Sequence, residues 1–130
     1  MPAVAGTASA SSRDPEAGPR CRVLSGRAAF ENLYRCGRRF RGNGMRIVCC
    51  ENTLGVTRLG FSVSSKLGGA AMRNRFKRRV RQLVRAAPPG AVDLVVSASR
   101  LVSEIAWLSL QKDYEEFRED LRRWREQPSG

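Results

Sequence analysis

Apolar residues recur at helical spacing in the middle of the chain, over residues 70–87. The stripe consists of Met72, Phe76, Val80, Leu83, Val84 and Ala87. This 3.6-residue period predicts an amphipathic helix. Gly68 and Gly69 mark a loop before the helix, and the Pro-Pro-Gly run at residues 88–90 ends it, because proline cannot continue a helix.

Two further helices flank this one along the chain. Residues 25–36 present a broad apolar face, with Ser25 as the expected N-terminal cap and Gly37 as the C-terminal stop. The last helix is expected from about Leu110, with Ser109 as its cap. Its apolar positions follow a 4, 3, 4, 3 spacing: Leu110, Tyr114, Phe117, Leu121 and Trp124.

The segments between the helices have the short, β-branched or alternating patterns of strands. Residues 45–50 and 57–65 are each predicted as a strand, and residues 38–44 as a basic edge strand or loop. Residues 91–99 are apolar enough to form a central strand. A strand, a helix and a strand in succession allow a parallel pair, and an earlier hairpin is antiparallel.

These elements predict an α+β fold in a single domain. Their order is α-β-β-β-α-β-α, which makes a sandwich of a mixed four-stranded sheet and three helices. Residues 1–19 are rich in Ala, Ser, Gly and Pro without periodicity, so they are expected to be a disordered extension. The ordered domain is expected over residues 20–126, with a flexible C-terminus at 127–130.

Charge is distributed unevenly along the 130 residues, whose formal net charge is +12. Residues 20–100 hold 18 Lys or Arg side chains but only Glu31, Glu51 and Asp93 as acids. The middle helix carries seven positive side chains and no negative one between Met72 and Arg85. Such unrelieved repulsion indicates a polyanionic partner: nucleic acid first, and an anionic membrane surface second.

Catalytic side chains are scarce in this sequence. It contains no His, the commonest general base near neutral pH, and its four Cys lack a C-x-x-C spacing. The Cys residues are expected to be buried or half-buried thiols of a reducing cytoplasm. The acids of the basic region stand alone in sequence, so a metal-dependent nuclease site is not expected. No segment has the ~18 apolar residues that cross a bilayer.

The stretch "RLGFSVSSKLGGAAMRNRFKRRVRQLVR" at residues 58–85 resembles the signature of the bacterial ribonuclease P protein component. The family pattern runs from an R-x-G-hydrophobic-S-V strand through K-x-G-x-A to R-N-R-x-K-R and a downstream R-x-x-x-R. The matching positions here are Arg58, Gly60, Ser62, Val63, Lys66, Gly68, Ala70, Arg73, Asn74, Arg75, Lys77, Arg78, Arg81 and Arg85. The likeness extends over residues 20–124.

This resemblance implies a fold like a domain of a ribosomal protein, with a left-handed crossover at the basic helix. General chirality rules would predict a right-handed one. It also implies a cytoplasmic protein that binds a catalytic RNA, with one protein expected for each RNA. The RNA carries the active site and, together with Mg²⁺, removes the 5′ leader of precursor tRNA.

The resemblance further implies roles for individual residues. RNA contacts are expected from Arg46, Arg58, Lys66, Arg73, Asn74, Arg75, Lys77, Arg78, Arg81 and Arg85. Phe30 and Tyr34 match aromatic positions that line the leader cleft, although both could equally be core residues. Lys66 and Gly68 match a loop close to a metal-binding region, with the metal ligands themselves unassigned.

Three departures from the family pattern affect the expected leader contacts. Gly69 stands where Asn is usual, Ser65 replaces a common second Lys, and the second strand has Ile47 and Val48 where some members place an aromatic residue. Leader contacts could then fall to Arg46 and Phe40.

Two other functional classes stay open from the sequence. A structural RNA-binding protein of the ribosome would have the same sheet and basic helix without a processing role. A DNA-binding regulator would require a second short helix before the basic one, where this chain has a strand and two glycines. No DNA partner is therefore expected, and no membrane partner, because the apolar stripe that includes Phe76 is expected to lie in the core.

Overall fold

The computed structural model describes residues 21–126, so the expectations for residues 1–19 and 127–130 lie outside the described part. Within these residues the fold is α+β, with three α-helices and one five-stranded mixed sheet. The elements in chain order are β1 (Cys21–Val23), α1 (Arg27–Cys36), β2 (Arg38–Arg41), β3 (Met45–Glu51), β4 (Thr57–Phe61), α2 (Ala70–Ala86), β5 (Val92–Ala98) and α3 (Trp107–Glu126). Short 3₁₀ turns at Ser65–Leu67 and Val102–Glu104 precede α2 and α3.

The strands lie side by side in the order β1-β4-β5-β3-β2. β4 and β5 pair in parallel, with Leu59 opposite Leu94, so helix α2 connects two parallel neighbours as predicted. β5 pairs with β3 in antiparallel fashion, and β3 with β2. Strand β5 is therefore central, as its apolar sequence indicated.

One feature of the sheet corrects an expectation from sequence. The described residues form five strands rather than four, because Cys21–Val23 adds a parallel edge strand beside β4. The antiparallel hairpin is formed by β2 and β3, whereas β3 and β4 are separated by β5. The expected order α-β-β-β-α-β-α thus gains a strand at its start. The handedness of the crossover at α2 stays a prediction.

Helices α2 and α3 cover one face of the sheet and form the larger core. Phe76, Val80 and Val84 of α2 meet Leu110, Tyr114, Phe117 and Leu121 of α3 over the inward side chains of the strands. Phe117 is 1% exposed, and full burial of such a side chain stabilises the fold by about 1.5–3 kcal/mol. The apolar stripes predicted for both helices are confirmed.

Helix α1 lies alone on the opposite face and forms a much smaller core. Leu33 is its one fully buried residue, and it packs with Leu24, Val48 and Val95. Side chains of a strand alternate between faces, so Val48 points to α1 while its neighbours Ile47 and Cys49 join the larger core.

The carboxylate of Asp113 fastens helix α3 to the β2–β3 turn. Asp113 is 2% exposed, and its oxygens accept hydrogen bonds from the backbone N–H groups of Asn43 (2.9 Å), Gly44 (2.7 Å) and Met45 (3.2 Å). Three donors satisfy one buried charge, and the turn packs so closely that a Cβ at Gly42 would overlap this carboxylate.

Two predicted helix starts are wrong. Helix α1 begins at Arg27 after Gly26, whose φ of 99° favours glycine, and Ser25 provides no cap. Helix α3 begins at Trp107, so Ser109 lies within its first turn rather than before it. The predicted stop at Gly37 is confirmed, because its N–H donates to the Leu33 carbonyl.

The four cysteines are free thiols in three kinds of environment. Cys49 is buried, and burial raises its pKa to about 11. Cys21 and Cys50 are half-buried, and burial also raises the pKa of Cys21. Cys36 is exposed at the end of α1, contrary to the expectation that all four are at least partly buried.

Candidate nucleic-acid interface

The outer surface of helix α2 is a ridge of positive charge. Asn74, Arg75, Arg78 and Arg85 are exposed, and Arg73, Lys77, Arg79 and Arg81 are half-buried along its flanks. Within residues 21–126, none of these basic side chains forms an ion pair with a carboxylate. The repulsion predicted from the sequence is therefore unrelieved in the fold, as suits a surface that binds phosphates.

Helix α3 shows the contrasting pattern of a solvated helix. Arg122 pairs with Glu119 and Glu126, and Arg123 lies 3.8 Å from Asp120. These pairs are three or four residues apart, as expected for neighbours on a helix surface. Helix α3 thus balances part of its positive charge with its own carboxylates, whereas α2 does not.

A groove of about 540 Å³ lies between α1, the end of β4 and the flank of α2. Phe30 of α1 lines it from one side, and Lys77 and Arg81 of α2 line it from the other. The structure therefore brings together three residues that the sequence assigned to RNA binding and base stacking. An aromatic ring opposite two cations is a typical arrangement for single-stranded nucleic acid.

Gly60 explains why Phe30 reaches the sheet. A Cβ at Gly60 would lie 2.6 Å from Cζ of Phe30, so only glycine permits this close contact. Phe30 is half-buried as a result, which combines the two interpretations left open from sequence: it packs on the small core and also faces the groove.

Phe61 is a groove residue that the sequence did not identify. Its alternation with Leu59 indicated a core side chain, and the structure packs it half-buried against the larger core, where it also lines the groove. The guanidinium carbon of Arg81 lies 5.3 Å from its ring centroid. No local sequence signal marks it, because its place in the groove depends on β1 pairing with β4 only as far as Leu59.

Tyr34 and Arg46 do not line the groove itself. Tyr34 is 36% exposed on α1, one helical turn beyond Phe30. Arg46 lies on the face of the sheet that carries α1, opposite Arg41 on β2 and Ser97 on β5. Both extend the candidate surface away from α2.

Phe40 lies on the other side of the sheet from Phe30. Its ring packs edge-on against Phe117 of α3, with centroids 5.8 Å apart. The expectation that leader contacts fall to Arg46 and Phe40 therefore holds for one continuous surface only at Arg46, because the sheet separates Phe40 from Arg46 and Phe30.

Arg58 is committed to a contact within the protein. Its Nε and Nη2 donate to the two carboxylate oxygens of Asp93 at 2.8 and 2.7 Å, and Asn52 donates to the same carboxylate at 2.9 Å. Burial acts to raise the pKa of Asp93, but these hydrogen bonds and the charge of Arg58 outweigh it and leave that pKa lowered. Arg58 therefore links β4 to β5, and an RNA phosphate would have to compete with Asp93 for its guanidinium.

This pair predicts an acid-sensitive contribution to stability. The folded-state pKa of Asp93 lies below the unfolded value of about 3.9, so the ionised pair stabilises the fold above that pH. The contribution is lost as the pH falls through the folded-state pKa. Between pH 6 and pH 2, the melting temperature of Asp93→Asn should therefore fall less than that of the wild type. Glu31→Gln, which alters only an exposed pair with Arg27, should follow the wild-type profile.

The loop before α2 does not fit a Mg²⁺ site formed by protein ligands. Residues 62–71 contain no carboxylate, the Gly68 carbonyl accepts a hydrogen bond from Arg73 at 3.0 Å, and the Ser64 hydroxyl accepts one from the Lys66 N–H. Within residues 21–126, no group of three or more His, Cys, Asp or Glu could hold a metal ion. Lys66 itself is exposed and lies at the N-terminal end of the α2 ridge.

The fold and this surface define a small basic α+β protein with a candidate binding face for a polyanion. None of the described helices is long and apolar enough to cross a membrane. The family model for ribonuclease P matches residues 19–122 of the chain. The chain therefore belongs to the ribonuclease P protein family.

Individual relatives agree with this assignment. The ribonuclease P protein component of Syntrophomonas wolfei is 34% identical over 89 residues, which cover 65% of this chain and 74% of the relative. That of Natranaerobius thermophilus is 30% identical over 88 residues, covering 65% and 76%.

Solved structures show the same fold. The RNase P protein of Staphylococcus aureus superimposes with a TM-score of 0.68 at 28% identity, covering 75% of this chain and 93% of that one. The RNase P protein of Thermotoga maritima gives a TM-score of 0.67 at 23% identity, over 75% and 96%. At that identity the likeness concerns the fold alone.

Proposed function

We propose that this protein is the protein subunit of a ribonuclease P and that it binds the catalytic RNA and the 5′ leader of precursor tRNA. The observation that carries the proposal is the unpaired cationic ridge of α2 beside an aromatic groove, on a chain that belongs to this family. Neutralising phosphates along the ridge would release counterions and provide most of the affinity.

The RNA and the substrate would occupy adjoining parts of this surface. Arg75 and Arg78 point away from the core and suit the phosphates of a folded RNA. The groove beside Phe30 suits the unpaired leader, because bases can stack on the ring while Lys77 and Arg81 hold the backbone. Tyr34 and Arg46 would extend the leader path along α1 and the open sheet.

The polypeptide would act without catalytic groups of its own. The sequence has no His, and two acids of the basic region are engaged in ion pairs: Asp93 with Arg58, and Glu31 with Arg27. Magnesium ions needed for hydrolysis would be held mainly by the RNA, since the protein loop offers no carboxylate. We further propose one protein per RNA, in the cytoplasm.

Reconstitution tests this function directly. The protein is combined with the ribonuclease P RNA of the same organism, and cleavage of a precursor tRNA is measured at low Mg²⁺ with each component alone and with both. We expect efficient 5′ cleavage only from the pair. Cleavage by protein alone would contradict the noncatalytic role, and no gain on pairing would instead favour a structural RNA-binding protein.

Binding of the RNA should also depend steeply on salt. The logarithm of the affinity should fall with the logarithm of salt concentration by about 0.9 per neutralised phosphate of duplex and 0.7 for single strands. Filter binding between 50 and 500 mM salt measures this slope. A flat response would show that the α2 ridge does not face phosphates, and equally tight binding to duplex DNA would revive the DNA-binding alternative.

A further inference from the structure

Helix α2 contacts an aromatic ring on each flank. On the groove side, Arg81 lies over Phe61, which the proposed leader site already includes. On the other flank, the guanidinium carbon of Arg79 lies 5.9 Å from the ring centroid of Trp107, the first residue of α3. This second pair is outside the groove, since neither Arg79 nor Trp107 lines it.

A small pocket opens beside Trp107, between α2 and the start of α3. Its volume is about 220 Å³, below the ~300–1,000 Å³ of sites for drug-sized ligands. Phe76 and Leu110 contribute an apolar floor, and Arg75, Arg79 and Ser103 contribute polar groups. A pocket with these walls suits one flat ring with an anionic group attached rather than a larger molecule.

The charges around the pocket are available for a ligand. Within residues 21–126, neither Arg75 nor Arg79 pairs with a carboxylate, and Trp107 is only half-buried. The other tryptophan provides a contrast. Trp124 also has an arginine over its ring, Arg38 at 5.6 Å, but Arg38 is bonded to the carboxylate of Asp120.

We propose that the Trp107 pocket binds a single unpaired base of RNA that lies across α2. The base would lie against the indole of Trp107 and the guanidinium of Arg79, both of which stack on bases, and Arg75 would hold the adjoining phosphate. This inference rests on the proposed function, since it requires RNA on the α2 ridge. It places a second base site on the flank opposite the leader groove.

Two single-tryptophan variants of the full chain test the site. Trp124→Phe leaves Trp107 as the only tryptophan, and Trp107→Phe leaves Trp124 as the matched control. Each is titrated with the ribonuclease P RNA of the same organism while tryptophan emission is recorded. We expect the RNA to quench Trp107 and to leave Trp124 unchanged, because only a stacked base reaches the indole.

Affinity measurements separate base stacking from charge. Trp107→Ala should weaken RNA binding about 5- to 150-fold, the range for loss of one stacked base, with an unchanged salt slope. Trp107→Phe should retain most of the wild-type affinity for the RNA, because a smaller aromatic ring still stacks on a base. Thermal melting of both variants shows whether Trp107→Ala is folded. If it is not folded, the base site is tested by the emission of Trp107 in the Trp124→Phe variant alone.

The outcomes distinguish this inference from the function on which it rests. Steep salt-dependent binding with unchanged Trp107 emission would overturn the base site and leave the proposed function intact. The same follows if Trp107→Ala folds and binds RNA like the wild type. Absence of RNA binding by the wild type would overturn both.

Discussion

Replacing Arg75 and Arg78 together by Ala is expected to weaken binding of the ribonuclease P RNA by about 15- to 30-fold at 0.15 M salt. Both side chains are exposed on α2 and form no ion pair within residues 21–126, so their loss removes two phosphate contacts. The salt slope of log affinity should shrink by about 1.4–1.8. Filter binding over a salt series measures both quantities.

The matched control removes the same charge from another helix. Arg118→Ala with Arg122→Ala also lowers the net charge by two, but at exposed positions of α3. It should leave the salt slope unchanged. The α2 variant should melt no lower than the wild type, because Ala favours helix and repulsion is relieved. Equal losses in both double variants would show that overall charge, rather than the α2 ridge, holds the RNA.

Replacing Asp113 by Asn is expected to destabilise the fold by about 3 kcal/mol. The carboxylate accepts three backbone hydrogen bonds in a buried site, whereas an amide turns an NH₂ group towards N–H donors. For a domain of this size the melting temperature should fall by about 10–20 °C. Thermal unfolding followed by circular dichroism measures the change.

Asp120→Asn is the appropriate control for this substitution. Asp120 lies two turns further along α3 and pairs with Arg38 at the surface, where an ion pair contributes at most about 1 kcal/mol. Its melting temperature should fall by only a few degrees. If the melting temperature of Asp113→Asn equals that of the wild type, the β2–β3 turn does not depend on this carboxylate for its position.

Periodicity was sufficient to predict the elements that bury wide apolar faces. The stripe from Met72 to Ala87 and the spacing from Leu110 to Trp124 identified α2 and α3, because helices of this kind are determined by their own side chains. The edge strand Cys21–Val23 was missed, since it is three residues long and exists through hydrogen bonds to β4. Such pairing is decided by tertiary contacts rather than by local sequence.

The candidate site was predictable in composition but not in arrangement. The ridge of α2 follows from its sequence, whereas the pairing of Arg58 with Asp93 joins residues 35 apart in the chain. The placement of Phe40 depends on strand register, which puts it opposite Ile47 and therefore on the α3 side. Phe61 lines the groove because β1 pairs with β4 only up to Leu59, which leaves the end of β4 without a strand on that side.

The small core beneath α1 has a dynamic consequence. With Leu33 as its one fully buried side chain, α1 is the helix with the least apolar anchoring, so amide exchange should occur there before α2 or α3 opens. Helix α1, which carries Phe30 at one side of the groove, would then detach while the rest of the domain stays folded. A strand of RNA seated against Phe30 would oppose that detachment, so that substrate binding and the ordering of α1 would reinforce each other.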